Sequence, residues 1–246
     1  MQINEYELMR KVQGRHWWWR GREKLLLEIM NNFLACGCID YTIADLGSGF
    51  GANISLLSNF GTVYALETDD ECLSYIASTE PNAIPIKWKS PEPLDYKFDV
   101  ILLADVLEHI EDDCAAMMWI FEHLKPGGFV FVTVPAHMYL WSEMDDVVHH
   151  YRRYSKKSLL STVGPKLVIK KISFYNAALY PVKVAFVLLT GLLRLASPDT
   201  PKKSYNELPP SIINLIFKII MTIEAKFIRY FNLPFGVSLV MVVKKV

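Results

Sequence analysis

From residue 41 onward, short apolar runs alternate with stretches of helical periodicity. This alternation is typical of βαβ units, in which parallel strands are joined by helices that cover the sheet. Strands are predicted in five of these runs, at residues 42–45, 62–67, 84–88, 98–104 and 128–134. Ligands of open α/β sheets bind beyond the carboxyl ends of the strands, so a functional site is expected where these runs end.

The rest of the chain is predicted to be helical or to complete the sheet. Helices are expected at residues 3–12, 22–35, 156–163, 176–196 and 211–230, and two more strands at residues 167–173 and 236–245. A proline-rich linker, residues 197–210, separates the last two helices. We predict an N-terminal helical lid, a core, a helical insertion and a final core strand, over residues 1–40, 41–175, 176–235 and 236–246.

Composition limits the partners of this chain. The 26 lysines and arginines equal the 26 aspartates and glutamates, so no net field draws the protein to nucleic acid. Glu5 and Glu7 stand where a secretory signal has basic residues. The cysteines at positions 36, 38, 72 and 114 have neither zinc-site spacing nor the density of a disulfide scaffold. We expect a cytoplasmic protein with reduced thiols.

The two helices of the insertion are nearly apolar all round. Their hydrophobic residues contribute to a hydrophobic fraction of 52%, which is high for a soluble protein. The longest uninterrupted apolar run, residues 184–193, is shorter than the roughly 20 residues needed to cross a bilayer. Burial against the core, a homodimer interface, a wall for an apolar substrate and peripheral contact with a membrane surface all remain open.

A glycine-rich turn, Gly47-Ser48-Gly49-Phe50-Gly51, follows the first predicted strand. Glycines at this place let a ligand approach the backbone closely, and the pattern is compatible with either a dinucleotide or S-adenosylmethionine. Asp45 would repel a pyrophosphate but suits a ligand with an ammonium and a sulfonium group. Glu67 ends the second strand, where a carboxylate can accept the hydroxyl groups of a ribose.

Five motifs resemble, in order and spacing, those of the class I methyltransferases, and in particular the ubiquinone-biosynthesis O-methyltransferase type. They are Asp45-Leu46-Gly47-Ser48-Gly49-Phe50-Gly51, Glu67, Phe98-Asp99-Val100-Ile101, Asp105-Val106-Leu107-Glu108-His109 and Leu124-Lys125-Pro126-Gly127-Gly128. The resemblance implies S-adenosylmethionine as cofactor. It also implies an α/β, Rossmann-like seven-stranded sheet whose last strand is antiparallel, with an N-terminal helical segment and a helical insertion before that strand.

The same resemblance implies which residues bind the cofactor. They are Arg22, Asp45, Gly47, Ser48, Gly49, Glu67, Thr68, Asp105, Val106 and Leu107. Arg22 corresponds to an arginine that meets the methionine carboxylate, although an exposed charge at the start of a helix is an equal alternative. The acidic residue that meets adenine in the family is missing here, so Trp88 or Ser90 is expected to hold the base.

A polar, aromatic stretch after the fifth strand is expected to meet the acceptor. Its segments Leu140-Trp141-Ser142-Glu143-Met144-Asp145 and His150-Tyr151-Arg152-Arg153-Tyr154, together with His16-Trp17-Trp18, resemble a subgroup of the same enzymes. His150 is the first candidate for the base that takes the acceptor proton, His109 the second, and Asp145 completes the catalytic set. The alternative is a structural ion-pair network of Asp145, Arg152 and Arg153. Asp145, His149 and His150 are plausible metal ligands, but we predict no metal, because no spacing compels coordination.

These features predict methyl transfer from S-adenosylmethionine to a small or lipid-like acceptor, at oxygen. Two alternatives remain open. An NAD-linked oxidoreductase is favoured only by the permissive glycine pattern, and a non-catalytic docking module with this fold would not need the cofactor motifs to be intact.

Overall fold

A mixed β-sheet forms the centre of the protein. The computed structural model describes residues 3–35, 37, 40–196 and 207–246. Over these residues the sheet has seven strands: β1 (Tyr41–Leu46), β2 (Gly61–Glu67), β3 (Ala83–Lys87), β4 (Phe98–Ala104), β5 (Leu124–Pro135), β6 (Leu167–Tyr175) and β7 (Ser238–Lys245). Their order is β3-β2-β1-β4-β5-β7-β6, and β7 runs antiparallel to both of its neighbours. The expected α/β, Rossmann-like sheet with an antiparallel last strand is confirmed.

Helices cover both faces of the sheet. Those described are α1 (Ile3–Val12), α2 (Trp17–Phe33), α3 (Ile54–Leu57), α4 (Asp70–Thr79), α5 (Asp113–His123), α6 (Glu143–Val147), α7 (Lys156–Ser161), α8 (Tyr180–Ala196) and α9 (Ser211–Tyr230). The predicted bounds of α1 and α9 are confirmed. Most of the predicted linker, and the cysteines at positions 36 and 38, lie outside the described residues.

Two helices begin at places that the local pattern did not predict. The helix expected from residue 22 starts at Trp17, because the side chain of His16 accepts a hydrogen bond from the backbone of Trp18 and caps it. The helix expected from residue 176 starts at Tyr180. Asn176 has a left-handed backbone, with φ of 58°, and the amides of Asn176, Ala177 and Ala178 donate to the carboxylate of Glu224 instead of starting a helix.

Helices α2 and α9 pack against each other over one face of the sheet. Leu26 and Ile29 of α2, and Ile228 of α9, share one apolar cluster with the central strands. Polar groups hold the two ends of this pair. Asn214 accepts from the backbone of Trp17 at 2.8 Å, and Arg229 donates to Asn32 at 2.9 Å. Asn214 and Arg229, two of the polar residues of α9, therefore face α2.

Because those polar groups turn inward, large apolar side chains of the insertion face solvent. We call them the outer apolar faces: Leu188, Leu189, Leu192 and Leu193 of α8, and Ile212, Ile216, Ile219, Ile223, Phe227 and Tyr230 of α9. Within the described residues, none of the helices combines the length and apolarity that crossing a membrane requires.

The close approach of α9 to α2 depends on Gly21. A Cβ atom placed there would lie 2.6 Å from Sδ of Met221. We expect Gly21→Ala to lower the free energy of unfolding by about 1–3 kcal/mol through overpacking, despite the higher helix propensity of alanine. The cost should be smaller in a Met221→Ala background, measured by urea denaturation. Equal costs in both backgrounds would show that this contact does not set the spacing of the helices.

Candidate functional site

A large cavity lies beyond the carboxyl ends of the parallel strands. Its volume is about 1710 Å³, larger than the roughly 300–1,000 Å³ of a typical site for one small molecule. Its wall is built from the glycine turn, the ends of β2 and β3, the loop after β4, the polar stretch after β5, and one side each of α2, α8 and α9. The cavity therefore has room for a donor and an acceptor side by side.

The glycine turn forms one wall of this cavity and is shaped for close approach. Gly49 has φ of 52°, a left-handed conformation that favours glycine. A Cβ atom at Gly49 would meet no protein atom within 4 Å, whereas one at Gly47 would lie 2.9 Å from Cγ2 of Val106. Any side chain at Gly49 would therefore take up space at the wall of the cavity, and Gly47 leaves room for Val106. The hydroxyl of the buried Ser48 has no hydrogen-bond partner among the described residues.

Glu67 is held in place by backbone amides. Its Oε1 accepts from the backbone and hydroxyl of Thr68 at 2.7 and 3.0 Å, and its Oε2 accepts from the backbone of Gly49 at 2.9 Å. A carboxylate has about four lone-pair sites, so Oε2 keeps capacity for a further donor. Thr68 thus orients Glu67, and Glu67 joins the second strand to the glycine turn.

Asp45 lies behind the cavity wall instead of forming part of it. Its side chain is fully buried, and Asn53 donates to its Oδ1 at 3.4 Å. Burial raises the pKa of Asp45 to about 7 and the charge of Glu67 adds to this, against the opposing effects of Asn53 and Arg22. Direct contact with a cofactor, as the sequence suggests, is not what the structure shows. Its charge can act only through the turn.

Arg22 pairs with another of the predicted cofactor residues. It is buried, so the alternative of an exposed helix-start charge is wrong. Its Nη1 donates to the carbonyl of Ala104 at 3.0 Å and to Asp105 Oδ2 at 2.6 Å, while its Nε has no hydrogen-bond partner among the described residues. Val106 also lines the cavity, but the side chain of Leu107 is buried in the core.

The segment expected to hold adenine borders the cavity. Trp88 and Ser90 both line it, as do Lys89 and Pro91. The indole nitrogen of Trp88 donates to the carbonyl of Glu92 at 2.6 Å, and its ring packs on Trp119. Trp88 can therefore contact a base through its ring, but its indole N–H is already used in a hydrogen bond.

The three predicted catalytic residues come together on the opposite side of the cavity. Nδ1 of His150 lies 2.9 Å from Oδ1 of Asp145, and the rings of His109 and His150 meet edge to face with centroids 4.6 Å apart. Burial, together with a smaller effect of the neighbouring His150, lowers the pKa of His109 to about 4. His109 is therefore neutral at physiological pH.

The sequence left open whether Asp145 belongs to a catalytic set with His150 or to a structural ion-pair network with arginines, and in the structure it contacts both kinds of residue. Arg153 donates to its two oxygens from Nε at 2.7 Å and Nη2 at 3.0 Å. Burial opposes ionisation, but the hydrogen bond to His150 and the charge of Arg153 hold the pKa of Asp145 well below its usual range. Arg152 is not part of this network, since it pairs with Asp113 at 2.8 Å. With its oxygens engaged, Asp145 positions His150.

Two further residues of the cavity were not singled out by the sequence. Glu108 is fully buried beside His109 and His150, and burial raises its pKa well above the usual value. Lys183 of α8 donates to the hydroxyl of Ser142 at 3.3 Å, and burial lowers its pKa to about 8. A lone lysine in the apolar stretch 177–193 was the available signal for Lys183. Glu108 gave none beyond its place in a motif.

Comparisons with solved structures agree with this fold. Solved structures with the same fold include coclaurine N-methyltransferase bound to N-methylheliamine and SAH, with a TM-score of 0.56 and 14% identity over 91% of this chain and 72% of that one. NodS, an N-methyltransferase from Bradyrhizobium japonicum WM9 in complex with S-adenosyl-L-homocysteine, has a TM-score of 0.53 and 11% identity over 92% and 87%. An S-adenosylmethionine-dependent methyltransferase from Mesorhizobium loti has a TM-score of 0.56 and 14% identity over 95% and 100%.

The sequence comparisons identify the family. No curated protein sequence matches significantly. The family described as methyltransferase domain matches residues 18–177, which include the glycine turn, Glu67 and the cluster of His109, Asp145 and His150. The chain belongs to this family and is a class I methyltransferase that uses S-adenosylmethionine.

Proposed function

We propose that this enzyme transfers the methyl group of S-adenosylmethionine to an oxygen atom of a lipid-like acceptor at a membrane surface. One observation carries the proposal: α8 lines the cavity with three residues and α9 with Phe217, while both helices expose other apolar residues to solvent. An amphiphilic acceptor could therefore pass from a lipid surface into the cavity along the same helices. The protein would be cytoplasmic and peripheral to the membrane, with Cys72 and Cys114 as free thiols.

The donor side of the cavity fits the proposed cofactor. Gly47, Ser48 and Gly49 would face its methionine portion and Glu67 its ribose, with Thr68 orienting Glu67. Arg22 and Asp105, with Val106 beside them, would border the other side. The free lone pair of Glu67 Oε2 and the unpaired Nε of Arg22 match a hydroxyl donor and a carboxylate acceptor.

The acceptor side is apolar at its outer end and polar at its inner end. Val182 and Phe186 of α8, and Phe217 of α9, line the cavity with Trp17 and Trp18. We infer that these residues hold a hydrocarbon portion while Lys183 meets a polar or anionic group. Residues 1–40 would then act as the predicted lid, because Trp17 packs edge to face on Phe217 with ring centroids 5.2 Å apart.

The main contribution of the protein to methyl transfer would be to orient the donor and the acceptor. The bound donor supplies an already activated methyl group. Trp17, Trp18 and Phe186 would exclude water, and the cavity would align the acceptor oxygen with the methyl carbon. The acceptor proton would leave through the Glu108–His109–His150 cluster, where Asp145 holds Nδ1 of His150 and leaves Nε2 available.

Charge supports a lipid surface over a second copy of the chain as the partner of the outer apolar faces. The acidic residue of α9, Glu224, turns inward to bond the amides before α8, whereas Lys218 and Lys226 are exposed. Exposed apolar side chains beside lysines are typical of helices that lie on anionic bilayers. A homodimer is the outcome that would contradict this part.

Transfer to oxygen rests on the resemblance to the ubiquinone-biosynthesis O-methyltransferase type. The N-methyltransferases among the similar structures make nitrogen the second candidate. The docking-module alternative is tested by the glycine-turn variant below.

Gly49→Leu should abolish binding of S-adenosylmethionine while the protein stays folded. Gly127→Leu is the matched control, because Gly127 also has a left-handed backbone and open space at its Cβ but does not line the cavity. Both variants carry the same backbone strain. By calorimetry, we expect at least a tenfold loss of affinity for Gly49→Leu alone. Equal losses would mean that the turn does not contact the donor.

Asp45→Asn should stabilise the cofactor-free protein as pH rises. The folded pKa of Asp45, about 7, exceeds its ordinary 3.8, so wild-type stability is full below the ordinary value and is lost as pH rises through about 7. The shift corresponds to roughly 4 kcal/mol. The melting temperature of the variant should exceed that of the wild type increasingly from about pH 4 to pH 7, level off above that pH, and be accompanied by weaker donor binding. A pH-independent difference would refute the raised pKa.

Ile219→Glu with Ile223→Glu should prevent sedimentation with vesicles of phosphatidylcholine and phosphatidylglycerol. Val168→Glu, which places the same charge on the exposed side of β6, is the control and should leave sedimentation unchanged. Light scattering should give a monomer for all variants. A wild-type dimer that the double variant dissociates, or sedimentation unaffected by it, would contradict the membrane proposal.

A further inference from the structure

Glu108 is an unusual carboxylate for a buried position. Its side chain is fully buried, and neither Oε1 nor Oε2 has a hydrogen-bond partner among the described residues. A buried carboxylate without partners is strongly unfavourable unless a proton or a cation compensates it. Glu108 lies on a short helical turn after β4 and lines the cavity. The carboxylate therefore lies just behind the wall of the cavity.

The imidazole rings of His109 and His150 both lie close to the carboxylate of Glu108. Nε2 of His150 lies 3.8 Å from Oε1 of Glu108, and one ligand atom from each of Glu108, His109 and His150 lies within 4.8 Å of the others. Two ligands of one ion with metal–ligand bonds of about 2.0–2.2 Å lie at most about 4.4 Å apart. The three side chains would therefore have to draw together slightly to bind one ion.

His150 also has the outer partner that metal-binding histidines have. Its Nδ1 bonds Asp145 Oδ1 at 2.9 Å, and Asp145 is held in turn by Arg153 and by the backbone of Ser142. Metal-binding histidines almost always donate their second ring nitrogen to such an acceptor, which fixes the ring and directs the other nitrogen to the metal. This arrangement leaves Nε2 of His150 toward Glu108.

We propose that Glu108, His109 and His150 bind one divalent transition-metal ion beside the acceptor. Two imidazole nitrogens and one carboxylate oxygen suit an ion such as Zn²⁺ and leave positions open for water and substrate. The ion compensates the charge of Glu108. This site replaces the sequence-based expectation of no metal, for which Asp145, His149 and His150 were weighed as ligands.

The inference rests on the proposed oxygen acceptor. It makes the two histidines ligands of the metal ion, whereas the proposed function has them take the acceptor proton. With Nε2 of His150 bound to the ion, the histidine no longer takes the proton. The ion instead lowers the pKa of the acceptor hydroxyl, whose proton passes to solvent water. The oxygen–carbon bond then forms as the carbon–sulfur bond of the sulfonium breaks, so charge and atoms balance.

The test measures metal binding without the methyl donor. Metal-stripped protein is titrated with Zn²⁺ by calorimetry, and with Co²⁺ by visible absorption, in a Cys114→Ser background. That background prevents competition from a surface cluster of Asp112, Asp113 and Cys114. We expect one saturable site, at least 100-fold weaker binding in Glu108→Gln and in His150→Ala, and unchanged binding in His149→Asn. His149 is the exposed neighbour, with φ of 60°, which asparagine tolerates.

Thermal stability separates a metal ligand from a structural residue. Glu108→Gln replaces a buried carboxyl group that has no hydrogen-bond partner among the described residues, so without metal it should melt no lower than the wild type, and Zn²⁺ should no longer raise its melting temperature. A lower melting temperature that Zn²⁺ still raises, or no saturable binding by the wild type up to millimolar Zn²⁺, would overturn the metal site. Donor affinity and acceptor turnover are measured separately, so failure of the metal site is distinguishable from failure of the proposed function.

Discussion

The buried ion pair between Arg22 and Asp105 joins the parts of the molecule that form the site. Arg22 belongs to α2, outside the sheet, and Asp105 follows the last residue of β4, with a left-handed φ of 58°. Thr133 of β5 donates to the second oxygen of Asp105 at 3.0 Å. Removing one partner of such a pair leaves a buried charge uncompensated, at a cost of about 3–5 kcal/mol. The pair fixes the start of the loop that carries Glu108 and His109.

Helix α2 transmits this constraint to the acceptor side. Arg22 holds the helix over the strand ends, and Gly21 beside it lets α9 approach closely. Trp17, in the first turn of the same helix, contacts Phe217 of α9 across the cavity wall. The proposed donor and acceptor sides of the cavity thus share one helix, which sets the distance between them.

Local sequence patterns were sufficient for the sheet and the donor turn. The alternating apolar runs predicted β1, β2 and β4 because strands buried on both faces carry little else, and the glycines marked the turn because only they fit its backbone. Contacts between residues far apart in the sequence could not be predicted from these local patterns. The amides of residues 176–178 are capped by Glu224, about 48 residues away in sequence, and the isolation of the Glu108 carboxylate depends on several separate elements. The position of Asp45 behind the wall likewise depends on the packing of the turn.

The proposed transfer of a methyl group to an oxygen atom of a lipid-like molecule can be tested with a labelled methyl donor. The protein would be incubated with methyl-labelled S-adenosylmethionine and a membrane lipid extract, and the labelled products separated by solubility and identified by mass spectrometry. We expect the label in the organic phase as an O-methyl group. Glu67→Ala should give no labelled product. Label confined to water-soluble amines, as N-methyl groups, would contradict the proposal.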